Sequence, residues 1–136
     1  MATTFIGKLV RSGSNQLTFD GTNPINLGYT LPQKANTVSV QVLNSNGDVV
    51  KTINSTKLNI GDNTINWDGT DDQGNKMNTG AYSFKVNAYD SKGTDLGASI
   101  YTTGTITGVR YTSSGTQLIV NGQFINLSDV QEILGE

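Results

Sequence analysis

Asp68, Asp71 and Asp72 form the one acidic cluster of the chain, inside the polar run Asp68-Gly69-Thr70-Asp71-Asp72-Gln73-Gly74-Asn75. Carboxylates this close suggest two chemistries. They could ligate a hard cation such as calcium, which takes roughly six to eight oxygens. Alternatively, two of them could divide acid and base roles in glycoside hydrolysis. A helical calcium loop counted from Asp68 would need Asp or Asn at its third position, Gly at its sixth and Glu at its twelfth. The chain supplies Thr70, Gln73 and Thr79 there. Hydrolysis needs one carboxyl buried enough to hold its proton near neutrality, and turn aspartates rarely have such burial. The reading left standing is a turn whose Asp side chains accept hydrogen bonds from nearby backbone N–H groups.

Other reactive groups are scarce. The chain has no Cys and no His, which excludes thiol catalysis, Cys/His zinc sites and a Ser-His-Asp triad. The Gly-rich stretch Thr103-Gly104-Thr105-Ile106-Thr107-Gly108 does not open a helix and so cannot cradle a phosphate. No cofactor and no metal are expected. Nine basic residues are spread singly against eleven acidic ones, for a net charge of −2. No basic stripe is present to neutralise phosphates, so nucleic acid is not an expected partner. Apolar runs are only a few residues long, and no bilayer insertion is expected. Met1 is followed by Ala2-Thr3-Thr4 rather than by a basic and then apolar stretch. No cleavable signal peptide is read there, and an export region upstream is expected to be missing.

The elements that would position these residues are strands. Hydrophobic residues make up 35% of the chain and Gly numbers 16, a mixture that fits short strands and tight turns. Period-two alternation predicts strands over 4–10, 16–19, 25–31, 38–42 and 49–53. Ile65 and Trp67 share one face of a further strand. Tyr82, Phe84, Val86 and Ala88 mark the strongest one, and Leu96, Ala98 and Ile100 the last of this block. After Gly104 the pattern restarts at 106–111, 116–120 and 123–127, with Asn121-Gly122 as a hairpin turn. In the tail, Ser128 and Gln131 have capping-box spacing, which predicts one helical turn over 128–134. Residues 23–103 carry turn signals about every 8–12 residues, the pattern of a β-sandwich. Residues 1–22 and 104–136 are each too small to fold alone. They are expected to pair as a discontinuous β-barrel around the inserted sandwich. The linkers are placed at Gly21–Pro24 and Thr102–Gly104.

Two aromatic residues read as structural. Tyr82 lies five residues after Met77, the spacing of a tyrosine corner, whose phenol bonds backbone near the strand start. Trp67 is the only Trp and reads as a core plug rather than a sugar-stacking ring.

The run Ile65-Asn66-Trp67-Asp68-Gly69-Thr70-Asp71-Asp72-Gln73-Gly74, with Gly80-Ala81-Tyr82 leading into the next strand, resembles the immunoglobulin-like module of bacterial flagellar hook-capping proteins. The motif residues are Trp67, Asp68, Gly69, Gly74, Gly80 and Tyr82. Thr79 stands where that family often has Pro. The opening segment Thr4–Val10 and the closing half from Gly104 to Ile133 also look like the family's flanks. The resemblance implies an all-β chain: an immunoglobulin- or fibronectin type III-like sandwich inserted into a small discontinuous Tudor-like barrel. It also implies a non-enzymatic scaffold, exported by the flagellar type III route to the distal end of the growing hook. Its implied partners are the hook subunit and, in the full-length protein, further copies of itself in an oligomeric cap. The competing reading is an exported binding module that recognises carbohydrate or a surface protein. Partner contacts are expected on loops, which rigid sandwiches present for binding. The candidates are Asn46, Asp48, Ser91 and Lys92, together with the barrel residue Tyr111.

Overall fold

The computed structural model describes residues 5–134 of the chain. Strands occupy β1 (Leu9–Ser12), β2 (Gln16–Phe19), β3 (Ile25–Leu31), β4 (Thr37–Asn44), β5 (Val49–Ser55), β6 (Gly61–Trp67), β7 (Gly80–Tyr89), β8 (Ser99–Thr112), β9 (Gly115–Val120), β10 (Gln123–Asn126) and β11 (Val130–Ile133). There is no α-helix among the described residues. The chain divides into two units, one formed by residues 15–101 and the other by residues 1–14 with 102–136.

The first unit is the sandwich. One sheet has the order β2-β7-β4-β5, and β3 pairs with β6 and with the first residues of β8 to make the other. Alternation explains the core: Val38, Val40 and Val42 of β4 and Tyr82, Phe84 and Ala88 of β7 point inward. They meet Leu27, Tyr29 and Leu31 of β3 and Trp67 of β6 in one apolar cluster. Tyr29 is fully buried, and its phenol donates to the Lys57 carbonyl at 2.6 Å and bonds Ser55 Oγ at 2.7 Å. Burial pushes that phenol's pKa up.

The second unit is a curled half-barrel in the order β10-β9-β8-β1-β11. Its core is small and aliphatic: Val10, Ile106, Leu118, Val120 and Ile125.

Four local expectations change. Gln16–Phe19 belongs to the sandwich, not the barrel, because β2 pairs along β7 from Gln16↔Ser83 to Phe19↔Gly80 and buries Leu17 and Phe19 in the sandwich core. The first strand starts at Leu9 rather than Thr4. Phe5–Gly7 form a turn closed by Lys8 N–H donating to the Phe5 carbonyl, and Thr4 lies outside the described residues. No linker interrupts 102–104, since β8 runs unbroken through Gly104. A Cβ at Gly104 would sit 2.6 Å from Val120 Cγ1, so that glycine serves packing rather than a bend. Leu96 and Ala98 precede β8 instead of forming its start.

The expected C-terminal helical turn is also replaced. Leu127–Asp129 form a short 3₁₀ turn without a side-chain cap, and Val130–Ile133 then pair with β1. The Gln131 amide oxygen accepts from Arg11 Nε at 2.9 Å instead of serving a capping box. Isolated helices this short are not stable in water, and the open edge of β1 offers more hydrogen bonds than one helical turn.

Candidate functional site

The motif from Trp67 to Tyr82 builds one end of the sandwich. Trp67 is fully buried, with its ring 5.2 Å from Phe19 and 5.0 Å from Tyr82, centroid to centroid. Its indole N–H donates to the Thr70 carbonyl at 2.9 Å, so the chain must turn back immediately after the strand. Asp68 holds that turn: Oδ1 accepts from Thr70 Oγ1 at 2.6 Å and from Thr70 N–H at 3.0 Å. Those two bonds, hydroxyl first, lower the Asp68 pKa. Gly69 has φ +84°, and a Cβ there would strike the Phe19 ring. The Trp-Asp-Gly sequence is therefore one device: a ring that fills the core, a carboxylate that ties the turn, and a residue with no side chain against the neighbouring ring. Gly80, with φ +144°, opens β7. Tyr82 then donates its phenol to the Asn78 carbonyl at 2.7 Å, which is the tyrosine-corner geometry.

The acidic run is spent on local structure. Asp71 Oδ1 accepts from Asn75 N–H at 2.8 Å and Gln73 N–H at 3.0 Å, and the Asn75 bond leads in lowering its pKa. Asp72 faces the outer edge of β5: its Oδ1 accepts from Thr52 N–H at 3.0 Å, and its own N–H donates to the Val50 carbonyl at 3.1 Å. The loop thereby occupies two backbone groups that a bare edge strand would offer to another chain.

A regularity missed in the sequence is visible here. Asn44–Asp48, Asp71–Asn75 and Asp90–Thr94 are the same five-residue loop. In each, the first side chain accepts the N–H of the third and fifth residues at 2.8–3.0 Å. The first N–H donates to the fifth carbonyl at 2.9 Å, and the fourth residue is a Gly with φ between +82° and +86°. The signal available in the sequence was Asn or Asp three residues before Gly.

The expected contact residues do not converge. Asn44 pairs with Tyr82 and Thr37 with Tyr89 across β4 and β7. The loop carrying Asn46 and Asp48 therefore lies at one end of that sheet, and the loop carrying Ser91 and Lys92 at the other. Tyr111, 65% exposed, belongs to the barrel. On the barrel, Phe124 is also exposed, beneath the Arg110 guanidinium at 3.4 Å from its ring centroid.

At the Asn46 end lies a groove of about 370 Å³, walled by Asn44–Asn46, Val50 and Lys76–Tyr82. Met77 enters the sequence pattern only through the Tyr82 spacing, and Lys76 and Asn78 have no role there, because nothing local says that their segment faces the β4–β5 loop.

Comparison with known proteins decides the family. Residues 14–92, more than half of the chain, match the FlgD Ig-like domain. The chain belongs to the FlgD Ig-like domain family. The basal-body rod modification protein FlgD of Escherichia coli K12 is 32% identical over 110 residues, which is 81% of this chain and 46% of that protein. Its counterpart in Salmonella typhimurium is 29% identical over 126 residues, 86% of this chain and 53% of that protein. The chain thus spans about half the length of the curated relatives it matches. FlgD of Xanthomonas campestris, whose crystal structure was described for its insight into the hook capping essential for flagellar assembly, superposes with a TM-score of 0.83. That match has 26% identity and covers 96% of this chain and 94% of the other. FlgD of Pseudomonas aeruginosa superposes with a TM-score of 0.77 at 28% identity, covering 95% and 97%.

Proposed function

We propose that this chain is the folded module of a hook-capping scaffold that promotes assembly of hook subunits at the tip of the growing flagellar hook. The observation that carries the reading is the joint match of sandwich and barrel to FlgD of Xanthomonas campestris along nearly the whole of both chains. A match confined to the sandwich would support only a generic immunoglobulin-like module.

The scaffold works without covalent chemistry. Support comes from the acidic run, whose carboxylates hold turns and a sheet edge instead of lining a cleft. Among the described residues, no group of His, Cys, Asp and Glu is arranged to hold a metal ion. No helix of the described residues is long and apolar enough to cross a membrane. The working location is outside the cell, at the distal end of the hook, with the hook subunit as partner and further copies of the full-length protein completing the cap. Rigid hydrogen-bonded loops suit this task, because they present side chains without an ordering cost at each encounter.

Complementation tests the reading. The gene that encodes this segment is deleted and restored with and without residues 1–136. Cells that lack hooks, release unpolymerised hook subunit and recover only with the intact segment support the scaffold. Normal hooks without the segment would reduce the chain to a binding module.

A further inference from the structure

The outer strands of the sandwich differ in how they end a sheet. An unpaired strand edge is a template for another chain, and short strands or charged side chains blunt it. β2 has only four residues. β6 pairs with β3 alone, and Lys57 Nζ donates to its Thr64 carbonyl at 2.9 Å. β5 is seven residues long and pairs with β4 on one side only, so its other side is an edge. Backbone groups of alternate residues point to the same side of an antiparallel strand, so Thr52 and Asn54 both face that edge.

Asp72 sits on this edge in the manner of an added strand. Its N–H donates to the Val50 carbonyl at 3.1 Å, and its Oδ1 accepts the Thr52 N–H at 3.0 Å. A residue of a parallel strand set beside Lys51 would make the same two bonds, with its own carbonyl where Asp72 uses a carboxylate. Lys51 ties the loop down from the strand side: Nζ donates to the Asp71 carbonyl at 3.2 Å and to Thr70 Oγ1 at 3.3 Å.

The loop itself does not require this carboxylate. Its clamp runs through the first, third and fifth residues, Asp71, Gln73 and Asn75, and Asp72 is the second. The second residues of the two equivalent loops are Ser45 and Ser91, and those loops keep the same bonds. What sets Asp72 apart is the strand edge beside it.

We propose that Asp72 guards the β5 edge, filling the hydrogen-bonding positions of Val50 and Thr52 so that β5 of a second copy cannot add there. The excluded occupant is an extended strand, because what the edge offers is a row of backbone N–H and C=O groups. A second copy's β5 matches it, since two identical edges pair antiparallel about a two-fold axis, each presenting the same row.

The test uses Asp72→Ser, which copies the residue at positions 45 and 91 and so retains the loop. Sedimentation velocity over a concentration series of the 136-residue chain should show self-association tighter by about tenfold or more than in the unsubstituted chain, with circular dichroism unchanged. In dilute solution the Thr52 amide should exchange faster. As concentration rises, the Thr52 and Asn54 amides should become protected together, which no purely local role of Asp72 produces. Adding Thr52→Pro should reverse the association, because proline removes the outward N–H and leaves the ladder to β4 intact. Should proline disturb the strand, Asn54→Lys puts a charge on the same edge and is expected to reverse it too. Asp72→Asn keeps an accepting oxygen and should behave as the unsubstituted chain. No tighter association in Asp72→Ser, association that survives both edge blocks, or equal association in Asp72→Asn overturns the proposal.

Discussion

The sandwich and the barrel solve the same problem with different means. The sandwich buries Trp67, Tyr29, Phe19 and Phe84, whereas the largest fully buried side chains of the barrel are Ile106 and Leu118. In the sandwich only β4 and β5 pair as sequence neighbours, through Asn44–Asp48, and β2–β7, β3–β6, β4–β7 and β3–β8 join strands distant in the chain. The barrel joins β1 to β11, so that Arg11 bonds Gln131 across 120 positions. Closing such a loop costs chain entropy before any contact is gained. A folded sandwich removes most of that loop. That gives an order of dependence: the β1–β11 pairing of the barrel closes at lower entropic cost once the intervening sandwich has folded.

The largest effect should come from Trp67→Ala, which empties the centre of the aromatic cluster and should cost about 3–5 kcal/mol. If the dependence holds, hydrogen exchange at Leu118 and Val120 in the barrel accelerates as well. Barrel amides that stay protected while the sandwich unfolds would reverse the comparison.

Next is Leu118→Ala, which removes a fully buried barrel side chain and should cost about 2–5 kcal/mol locally. Trp67 is the only Trp and reports on the sandwich alone. Its fluorescence transition in urea should keep its midpoint in this variant while barrel amides lose protection. A shared shift would make the two units one cooperative block.

Tyr82→Phe isolates one bond of the tyrosine corner. It should lower sandwich stability by about 0.5–1.5 kcal/mol, read by the same fluorescence transition, because it deletes the bond to the Asn78 carbonyl and leaves the ring in place.

The smallest effect is acid sensitivity. Asp20, Asp68 and Asp71 all belong to the sandwich, and hydrogen bonds lower each pKa. A lowered folded pKa means that the unfolded chain binds protons more readily. The stability these groups add is present above the unfolded value of about 4 and is lost as pH falls through the folded pKa. The sandwich midpoint should therefore drop below about pH 4. Asp71→Asn should flatten the drop without breaking the loop, since Asn44 performs the same role in the equivalent loop.

Much of the sandwich was legible because its signals are local. Alternation in Val38–Val42 and Tyr82–Ala88, the Trp-Asp-Gly turn and the Tyr82 spacing all act within a few residues, as does the repeated Asx-x-x-Gly loop that went unread. The sequence by itself determined an all-β chain, the aromatic plug and the interrupted barrel. It placed Asn46 and Asp48 on a loop, but not what that loop faces. Only the tertiary structure decided that Gln16–Phe19 extends the sandwich, that β8 passes through Gly104 without a break, that 130–133 is a strand, and that Lys76 and Asn78 meet Asn46 across a groove. Each of these depends on a partner distant in the chain. A strand edge or a facing loop supplies hydrogen bonds that no local pattern encodes, and where such an edge is open it outweighs the weak preference of a short segment for a helical turn.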